Sequence, residues 1–136
     1  MHLLTKTPLE RLAFIRITVF NRMSLIIFRL LLKVDELGGI QAIVISHPHF
    51  YTTFATWSHA FGRVPVYIAS EDAKWVARRD EAANACLKLI SSPTQEIIPG
   101  SGVTAIKAGG HFPGSMVVHW QNRLFTADTV FVVPVS

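Results

Sequence analysis

Two histidines one residue apart, His47 and His49, follow directly on the apolar run IQAIVIS. Residues i and i+2 of an extended chain point the same way, so both imidazoles can reach one metal ion. Pro48 between them restricts the backbone and favours a fixed geometry. Two loop histidines with no shared task would show the same pattern, so the rest of the chain has to supply further ligands.

Two later segments offer side chains of the required type. His111 lies in AGGHFPGSMVVHW, in a loop rich in glycine and proline that is an unfavourable place for a core histidine. Asp128 ends a strand-like run in LFTADTVFV, and a carboxylate buried there needs a partner. A cation would be that partner. Three nitrogens and a carboxylate suit zinc or another divalent first-row metal, and we expect one ion.

The other reactive side chains favour structural roles. His59 lies on a predicted helix, where an exposed position is favoured over ligation, and His119 alternates with its neighbours on a predicted strand. Cys86 is the single cysteine and stands in a helix-like stretch, which predicts a buried, inert thiol. The sequence contains no glycine-rich phosphate loop and no Gly-x-Ser-x-Gly nucleophile motif.

Periodicity and turn signals predict the elements that position these residues. IQAIVIS and VPVYIA have the pattern of buried strands, and TTFATWSHAFG has helical spacing that stops at Gly62. A second helix is predicted at SEDAKWVARR, with Ser70 as its cap and its acidic residues complementing the helix dipole. Residues 80–92 are helical or irregular, and short strands follow, with a hairpin turn at residues 121–122. This order predicts an α/β sandwich in which helices cover one face of a sheet.

The basic charge of the chain is concentrated at its beginning. The 136 residues carry a net charge of +4 and are half apolar, which predicts one folded domain. Residues 1–34 carry six basic and one acidic side chain, whereas residues 35–136 carry seven basic and eight acidic ones. The larger part therefore shows no electrostatic footprint for nucleic acid, and we expect no nucleic-acid partner.

Residues 1–34 form an apolar segment interrupted by arginines, and we predict that it is helical. Its uncharged runs are no longer than seven residues, which argues against a membrane span, since a span needs about 20. On a helical wheel, four of these basic residues fall within about 40° of one another: Arg11, Arg22, Arg29 and Lys33. Three interpretations stay open: a helix packed on the domain, contact of residues 11–33 with a membrane surface, or organellar targeting. Without a secretory signal, a cytoplasmic location is favoured.

The segments ISHPHFYTT, GGHFPGSMVVHW and LFTADTVFV resemble the successive metal motifs of the metallo-β-lactamase superfamily of hydrolases. The similarity covers about residues 35–134 and is greatest to an uncharacterised lactamase-like subgroup with a His-Pro-His first motif. It implies that the family's metal ligands correspond here to His47, His49, His111 and Asp128. It also implies the fold, a four-layer αββα sandwich. We therefore expect residues 35–136 to form a partial αββα domain, preceded by residues 1–34 as a separate segment.

The chain departs from the family pattern at the second metal. The first family motif is His-x-His-x-Asp-His, and its last two positions are Tyr51 and Thr52 here. Neither side chain ionises readily at neutral pH, so both are poor zinc ligands. No histidine follows Asp128, where the family has a late ligand. We expect at most one ion in an apparently truncated domain, with Tyr51 placing a substrate oxygen at best.

The resemblance implies a metal-dependent hydrolase, in which metal-activated water attacks an ester, thioester, lactam or phosphoester of a small-molecule substrate. Enzymatic activity stays open, because Tyr51 replaces the aspartate that usually orients this water. The alternative is a non-catalytic remnant of the fold that acts as a membrane-surface or interaction module. The four ligand positions favour the hydrolase, and the lost half-site favours the remnant. The sequence does not indicate an oligomeric state.

Overall fold

The computed structural model describes residues 2–5 and 32–130. In these residues eight strands form two four-stranded sheets. Sheet A has the order β1 (His2–Thr5), β2 (Ile40–Val44), β3 (Val66–Ala69) and β4 (Leu87–Ile90). Sheet B has the order β5 (Thr94–Glu96), β6 (Thr104–Lys107), β7 (Met116–Trp120) and β8 (Arg123–Phe125). The strands β2, β3 and β4 are parallel, β1 is antiparallel to β2, and sheet B is antiparallel throughout.

Short helices connect the strands. The described α-helical segments are α1 (32–36), α2 (Phe54–Ala60) and α3 (Glu81–Cys86). Three 3-10 helices lie at Pro48–Phe50, Ser70–Trp75 and Ala127–Thr129. The first begins shortly after β2, beyond residues 45–47, and the second follows β3 directly. Because these strands are parallel, both 3-10 helices lie at the carboxyl-terminal edge of sheet A, where α/β proteins commonly place their sites.

Strand β2 separates two hydrophobic cores. Ile43 and Ile45 belong to the core that sheet A forms with the helices, in which Phe54 of α2 is also buried. Ala42 and Val44 belong to the core between the two sheets. Successive residues of a strand face opposite sides, so an uninterrupted apolar run is what a strand covered on both faces requires. The described layers are therefore helices, sheet A and sheet B, and the predicted α/β fold, a partial αββα sandwich, is confirmed.

Several local predictions hold. The predicted strands correspond to β2 and β3, and the predicted helix corresponds to α2. Gly62 follows this helix at φ +79°, a conformation that glycine adopts without strain. The turn at residues 121–122 joins β7 to β8, with Gln121 at φ 54°.

The segment after β3 differs from the prediction. Residues Ser70–Trp75 form a 3-10 helix whose N-cap residue is Ala69, and no side chain caps it. The Ser70 hydroxyl instead donates to Glu71 Oε2 at 3.0 Å. A capping serine accepts a hydrogen bond from a free backbone N–H, whereas the Ser70 oxygen accepts from Lys107 Nζ at 3.4 Å. The prediction of Ser70 as a helix cap is therefore wrong.

The region 80–92 contains a helix and a strand. Asp80 caps α3 by accepting from Ala83 N at 2.8 Å, and β4 begins directly after the helix. The sequence pattern does not predict β4, because LKLI is short and forms an edge strand. Only Ile90 of this strand is buried.

The predicted N-terminal helix is only partly covered by the described residues. Residues 32–36 are helical, whereas His2–Thr5 form strand β1, which pairs with β2. Residues 2–5 form a strand rather than the predicted helix, because β1 supplies the antiparallel neighbour that covers the edge of β2. The basic stripe at residues 11–29 lies outside the described residues. In the described part of the chain, no helix is long and apolar enough to cross a membrane.

Candidate metal centre

The first histidine of the pair is held inside the protein. His47 follows the carboxyl end of β2 and is only 1% exposed. The Phe112 ring stacks on its imidazole at 6.0 Å and 16°, and Phe50 contacts it edge-on at 5.0 Å. His49 lies in the 3-10 helix Pro48–Phe50 and is exposed. One ligand candidate is therefore fixed by packing, and the second stands at the surface beside it.

The loop that carries His111 is closed by Ser115. The Ser115 carbonyl accepts from Ala108 N at 2.8 Å and from Gly109 N at 3.0 Å. Its hydroxyl accepts from Phe112 N at 2.8 Å. After the loop, Met116 N donates to Ser46 O at 2.9 Å, which joins sheet B to the end of β2. These bonds place the exposed His111 next to the histidine pair.

Asp128 enters the site from the other side. It lies in the 3-10 helix Ala127–Thr129, shortly after β8, with its side chain 34% exposed. The preceding Ala127 has φ 47°, in the left-handed region that residues with a side chain rarely adopt. The backbone therefore stores strain at the residue next to the carboxylate.

The four predicted ligands come together. The ring centroids of His47, His49 and His111 lie 5.0 to 5.1 Å apart in all three pairs. Each of the three, and Asp128, offers one ligand atom, and these four atoms all lie within 4.8 Å of one another. In the described part of the chain this is the one group of three or more His, Cys, Asp or Glu side chains with such spacing.

His47 Nε2 is a buried polar atom without a hydrogen-bond partner. It lies 3.1 Å from Asp128 Oδ2, but the contact does not have the geometry of a hydrogen bond. On the other side of the ring, Nδ1 lies 2.9 Å from Ser46 Oγ. When Nδ1 carries the proton and donates to Ser46, the Nε2 lone pair faces the carboxylate oxygen. Two lone pairs at this distance repel each other unless a cation lies between them.

The electrostatics favour the neutral imidazole. Burial lowers the pKa of His47, the nearby His49 and His111 lower it further, and Asp128 opposes them. A neutral imidazole is the form that binds a metal, so the ring does not have to lose a proton first. The contact with Asp128 is accordingly not an ion pair at neutral pH.

The residues fit a divalent metal. In a tetrahedral site with metal–ligand bonds of about 2.0–2.1 Å, neighbouring ligand atoms lie about 3.4 Å apart. The four candidate ligand atoms lie within 4.8 Å of one another, so each pair must approach by little more than an ångström at most. The two exposed histidines can make this movement by rotating their side chains. Three imidazoles and a carboxylate are the donor types that zinc and its first-row neighbours take.

The structure assigns the other candidates to different places. Tyr51 is buried, and its hydroxyl has no hydrogen-bond partner, so its substrate-orienting role stays a prediction. His59 and His119 are exposed and lie outside the cluster, as the sequence indicated. Cys86 is buried, and its thiol donates to Ala83 O at 3.3 Å, which fits the predicted inert role.

Two further residues of the site region were missed from the sequence. Ser46 supports the imidazole of His47, and its only signal is its place beside that histidine. Asp72 was expected to complement a helix dipole at the surface, but its side chain has no exposed area. Its Oδ1 accepts from Gly114 N in the His111 loop at 3.1 Å. Nothing in SEDAKW distinguishes this aspartate from a solvated one.

Comparison with known proteins finds relatives by sequence and similar solved structures. No family model matches the chain. It is 41% identical over 106 residues to the uncharacterized protein YmaE of Bacillus subtilis, covering 74% of this chain and 36% of the relative. It is 31% identical over 125 residues to the probable metallo-hydrolase MJ0888 of Methanocaldococcus jannaschii, covering 80% of this chain and 60% of the relative. The chain therefore spans about one third and three fifths of these two relatives.

Among solved structures, a quorum-quenching N-acyl homoserine lactone lactonase is similar at a TM-score of 0.45 and 26% identity, covering 68% of this chain and 39% of the other. An N-acyl homoserine lactone hydrolase follows at a TM-score of 0.42 and 24% identity, covering 63% and 38%. The sequence relationship to a probable metallo-hydrolase and the four gathered candidate ligands support a divalent metal at this centre. They agree, at the level of a metallo-hydrolase, with the resemblance seen in the motifs.

Proposed function

We propose that the chain is a metal-dependent hydrolase domain that holds one divalent first-row metal, with zinc as the first candidate. His47, His49, His111 and Asp128 would be its ligands. The observation that carries the proposal is the orphaned Nε2 of His47, a buried nitrogen without a hydrogen-bond partner 3.1 Å from a carboxylate oxygen. The relationship to a probable metallo-hydrolase supports the same class of reaction.

The bound metal would supply a Lewis acid that lowers the pKa of water and polarises a carbonyl or phosphoryl group. The protein's own residues divide the remaining work. Phe50 and Phe112 pack on His47 and keep water from its ring. Ser46 holds that ring in one orientation. The exposed His49 and His111 leave one side of the centre open, and a small-molecule substrate would approach there.

A single ion is proposed because the described residues offer one cluster. Tyr51, at the position where the family pattern has an aspartate, is buried and, as a tyrosine, is a poor zinc ligand at neutral pH. A substrate with an ester, thioester, lactam or phosphoester bond is proposed from the fold class. All four bonds present an oxygen that a Lewis acid can polarise.

The test is a hydrolysis screen of the zinc-loaded and manganese-loaded chain. The panel contains one chromogenic ester, thioester, lactam and phosphodiester, and the metal-stripped protein is the blank. We expect turnover of at least one compound, lost on stripping and restored by the metal. Asp128→Asn should abolish this turnover, whereas Asp80→Asn, an exposed aspartate away from the cluster, should keep it. Metal-loaded protein that hydrolyses none of the four classes would contradict the enzyme proposal.

That contrary result would favour the alternative, a non-catalytic remnant of the fold. The specific observation behind it is the burial of Tyr51 in place of the family's aspartate. Binding of residues 11–33 to a membrane surface stays a prediction, tested by sedimentation of the chain with anionic and with neutral vesicles. We expect cosedimentation with the anionic vesicles alone if the basic stripe carries this contact.

A further inference from the structure

The 3-10 helix Ser70–Trp75 contacts the loop that carries His111 on both sides of this histidine, and the proposed chemistry gives the helix no role. The loop comprises residues 108–115, between β6 and β7. Lys107 precedes the loop directly, and Gly114 lies near its end. Each of these two residues bonds to an acidic side chain of the helix.

The first contact is an ion pair at the start of the loop. Lys107 Nζ donates to Glu71 Oε1 at 2.8 Å and to Glu71 Oε2 at 2.7 Å, and it lies 3.4 Å from Ser70 Oγ. The lysine side chain is only 10% exposed, whereas that of Glu71 is 43% exposed. An ammonium group with so little contact to water needs a partner. The pair therefore holds the end of β6 against the helix.

The second contact is a hydrogen bond on the other side of His111. Asp72 has no exposed area, and its Oδ1 accepts from Gly114 N at 3.1 Å. The other carboxyl oxygen, Oδ2, has no hydrogen-bond partner among the described residues. Since a buried carboxyl group depends on the donors that reach it, the Gly114 amide and Asp72 hold each other in place.

Packing reinforces both bonds. A Cβ atom added at Gly114 would lie 2.5 Å from Ala69 Cβ, which is shorter than real Cβ contacts allow, so the loop backbone lies directly on the end of β3. The Trp75 and Phe112 rings meet edge to face, with their centroids 6.1 Å apart. Phe112 in turn contacts the His111 ring at 4.8 Å. The helix therefore touches the loop at its start, its middle and its end.

This arrangement fixes the backbone around an exposed candidate ligand. Because His111 is exposed, packing does not hold its side chain as it holds His47. The backbone is held instead, four residues before His111 through the Lys107 side chain and three residues after it at Gly114. A ligand that is already close to its bound position loses less conformational freedom when a metal binds, which raises the affinity.

We propose that Glu71 and Asp72 are positioning residues of the metal centre: they hold the two sides of the His111 loop and thereby place the His111 imidazole beside the other three candidate ligands. Neither carboxylate binds the metal, and both act through His111. The inference rests on the proposed function, because it requires that the four candidate ligands bind a metal.

Zinc affinity, measured by competition with a chromophoric chelator, tests the proposal. Loss of a residue that orients a metal ligand costs about 10–100-fold in affinity, and we expect a loss in this range for Asp72→Ala. We expect a loss of about two- to fivefold for Glu71→Gln, because a partly exposed ion pair is weak. Asp72→Asn should recover most of the affinity, since its amide oxygen can accept from Gly114.

Glu96→Ala is the matched control. Glu96 also accepts from a glycine amide, that of Gly102 at 2.8 Å, but at the opposite end of β6 from the His111 loop. This variant should bind zinc like the unmodified chain.

Two histidine backgrounds separate positioning from a general loss of structure. If Asp72 acts through His111, Asp72→Ala should lower zinc affinity in a His49→Ala background by about the same factor as in the unmodified chain. It should cause no further loss in a His111→Ala background, because the ligand that Asp72 positions is already gone. A purely structural role would lower the affinity equally in both backgrounds.

The outcomes separate this inference from the proposed function. If the unmodified chain binds no zinc, the proposed function fails and the positioning role fails with it. If the unmodified chain binds zinc, equal binding by Asp72→Ala, or equal losses in the His49→Ala and His111→Ala backgrounds, overturns the positioning role alone. If Asp72→Ala does not fold, Glu71→Gln and Lys107→Met decide. Each should lose zinc affinity by a similar factor, and unchanged affinity in both contradicts the inference.

Discussion

Ser46 Oγ lies 2.9 Å from His47 Nδ1, and both residues are 1% exposed. The hydroxyl is placed by the end of β2, where the bonds from Ile45 N to Tyr67 O and from Met116 N to Ser46 O hold the backbone. A ligating histidine is usually oriented by a partner at its other nitrogen. This pair therefore directs Nε2 toward Asp128.

Ser46→Ala should weaken zinc binding by about 10-fold or more, because the His47 ring loses the bond that orients it. The measurement is chelator competition on the folded variant. Ser58→Ala is the matched control, since Ser58 is equally buried and donates to Val64 O at 2.6 Å, on the helix side of sheet A. The control should lose about 1 kcal/mol of stability and keep its zinc affinity. Equal affinities for the two variants would count against a supporting role of Ser46.

Ala127→Gly should stabilise the protein. The left-handed conformation of Ala127, at φ 47°, costs a residue with a Cβ about 1–2 kcal/mol. Glycine removes this strain but loses more entropy on folding, so we expect a net gain of about 0.5–1 kcal/mol in urea unfolding. Ala82→Gly, in the exposed part of α3, should have the opposite sign and cost about 1 kcal/mol. A destabilised Ala127→Gly variant would show that Ala127 does not adopt a strained left-handed conformation.

Gly114→Ala should destabilise the protein more than Gly100→Ala. At Gly114 the added methyl group meets Ala69 Cβ at 2.5 Å, and such overpacking costs up to about 3 kcal/mol. At Gly100 the space is open and the residue has φ +76°, so only backbone strain of about 1–2 kcal/mol is expected. Urea unfolding of both variants gives the comparison. The reverse order would contradict the close contact between the His111 loop and β3.

Glu71→Gln should lower stability at neutral pH and have no effect in acid. The hydrogen bond from Lys107 lowers the pKa of Glu71 below its usual value. A carboxyl group whose pKa is lowered by folding stabilises the folded protein at pH values above its pKa in the unfolded chain. This stabilisation is lost as the pH falls through its pKa in the folded protein. The pair is partly exposed, so we expect less than about 1 kcal/mol at pH 7. Urea unfolding of Glu71→Gln and of the unmodified chain, at neutral and at acidic pH, measures this loss of stability. A stability difference that persists in strong acid would exclude the ion pair as its cause.

The gathering of the four candidate ligands was predictable from the sequence because the types and local spacing of the residues carry the signal. The pair at residues 47 and 49 follows an apolar run that could only be a buried strand, and the glycines before His111 indicate a loop. The covering of one sheet face by helices followed from the alternation of strands and helices, whereas the packing of two sheets was implied only by the family resemblance. These features are local, and tertiary contacts did not override them.

What the sequence could not show depends on contacts between distant segments. The burial of Asp72 results from the loop at Gly114, 42 residues further along the chain. Strand β4 is defined by pairing with β3 rather than by its own pattern. Ser70 has the signature of a cap, but its oxygen accepts a hydrogen bond from Lys107, 37 residues further along the chain. In each case the deciding partner lies outside the pattern that predicts the element.

The most direct test of the metal centre is the metal content of the purified chain, measured by inductively coupled plasma mass spectrometry. We expect about one equivalent of zinc, iron or manganese in the unmodified chain. The double variant His47→Ala/His111→Ala should lose it, while His59→Ala/His119→Ala, which removes two exposed histidines outside the cluster, should keep it. Folded but metal-free protein after growth with added zinc, or a double variant at positions 47 and 111 that keeps its metal, would contradict the account.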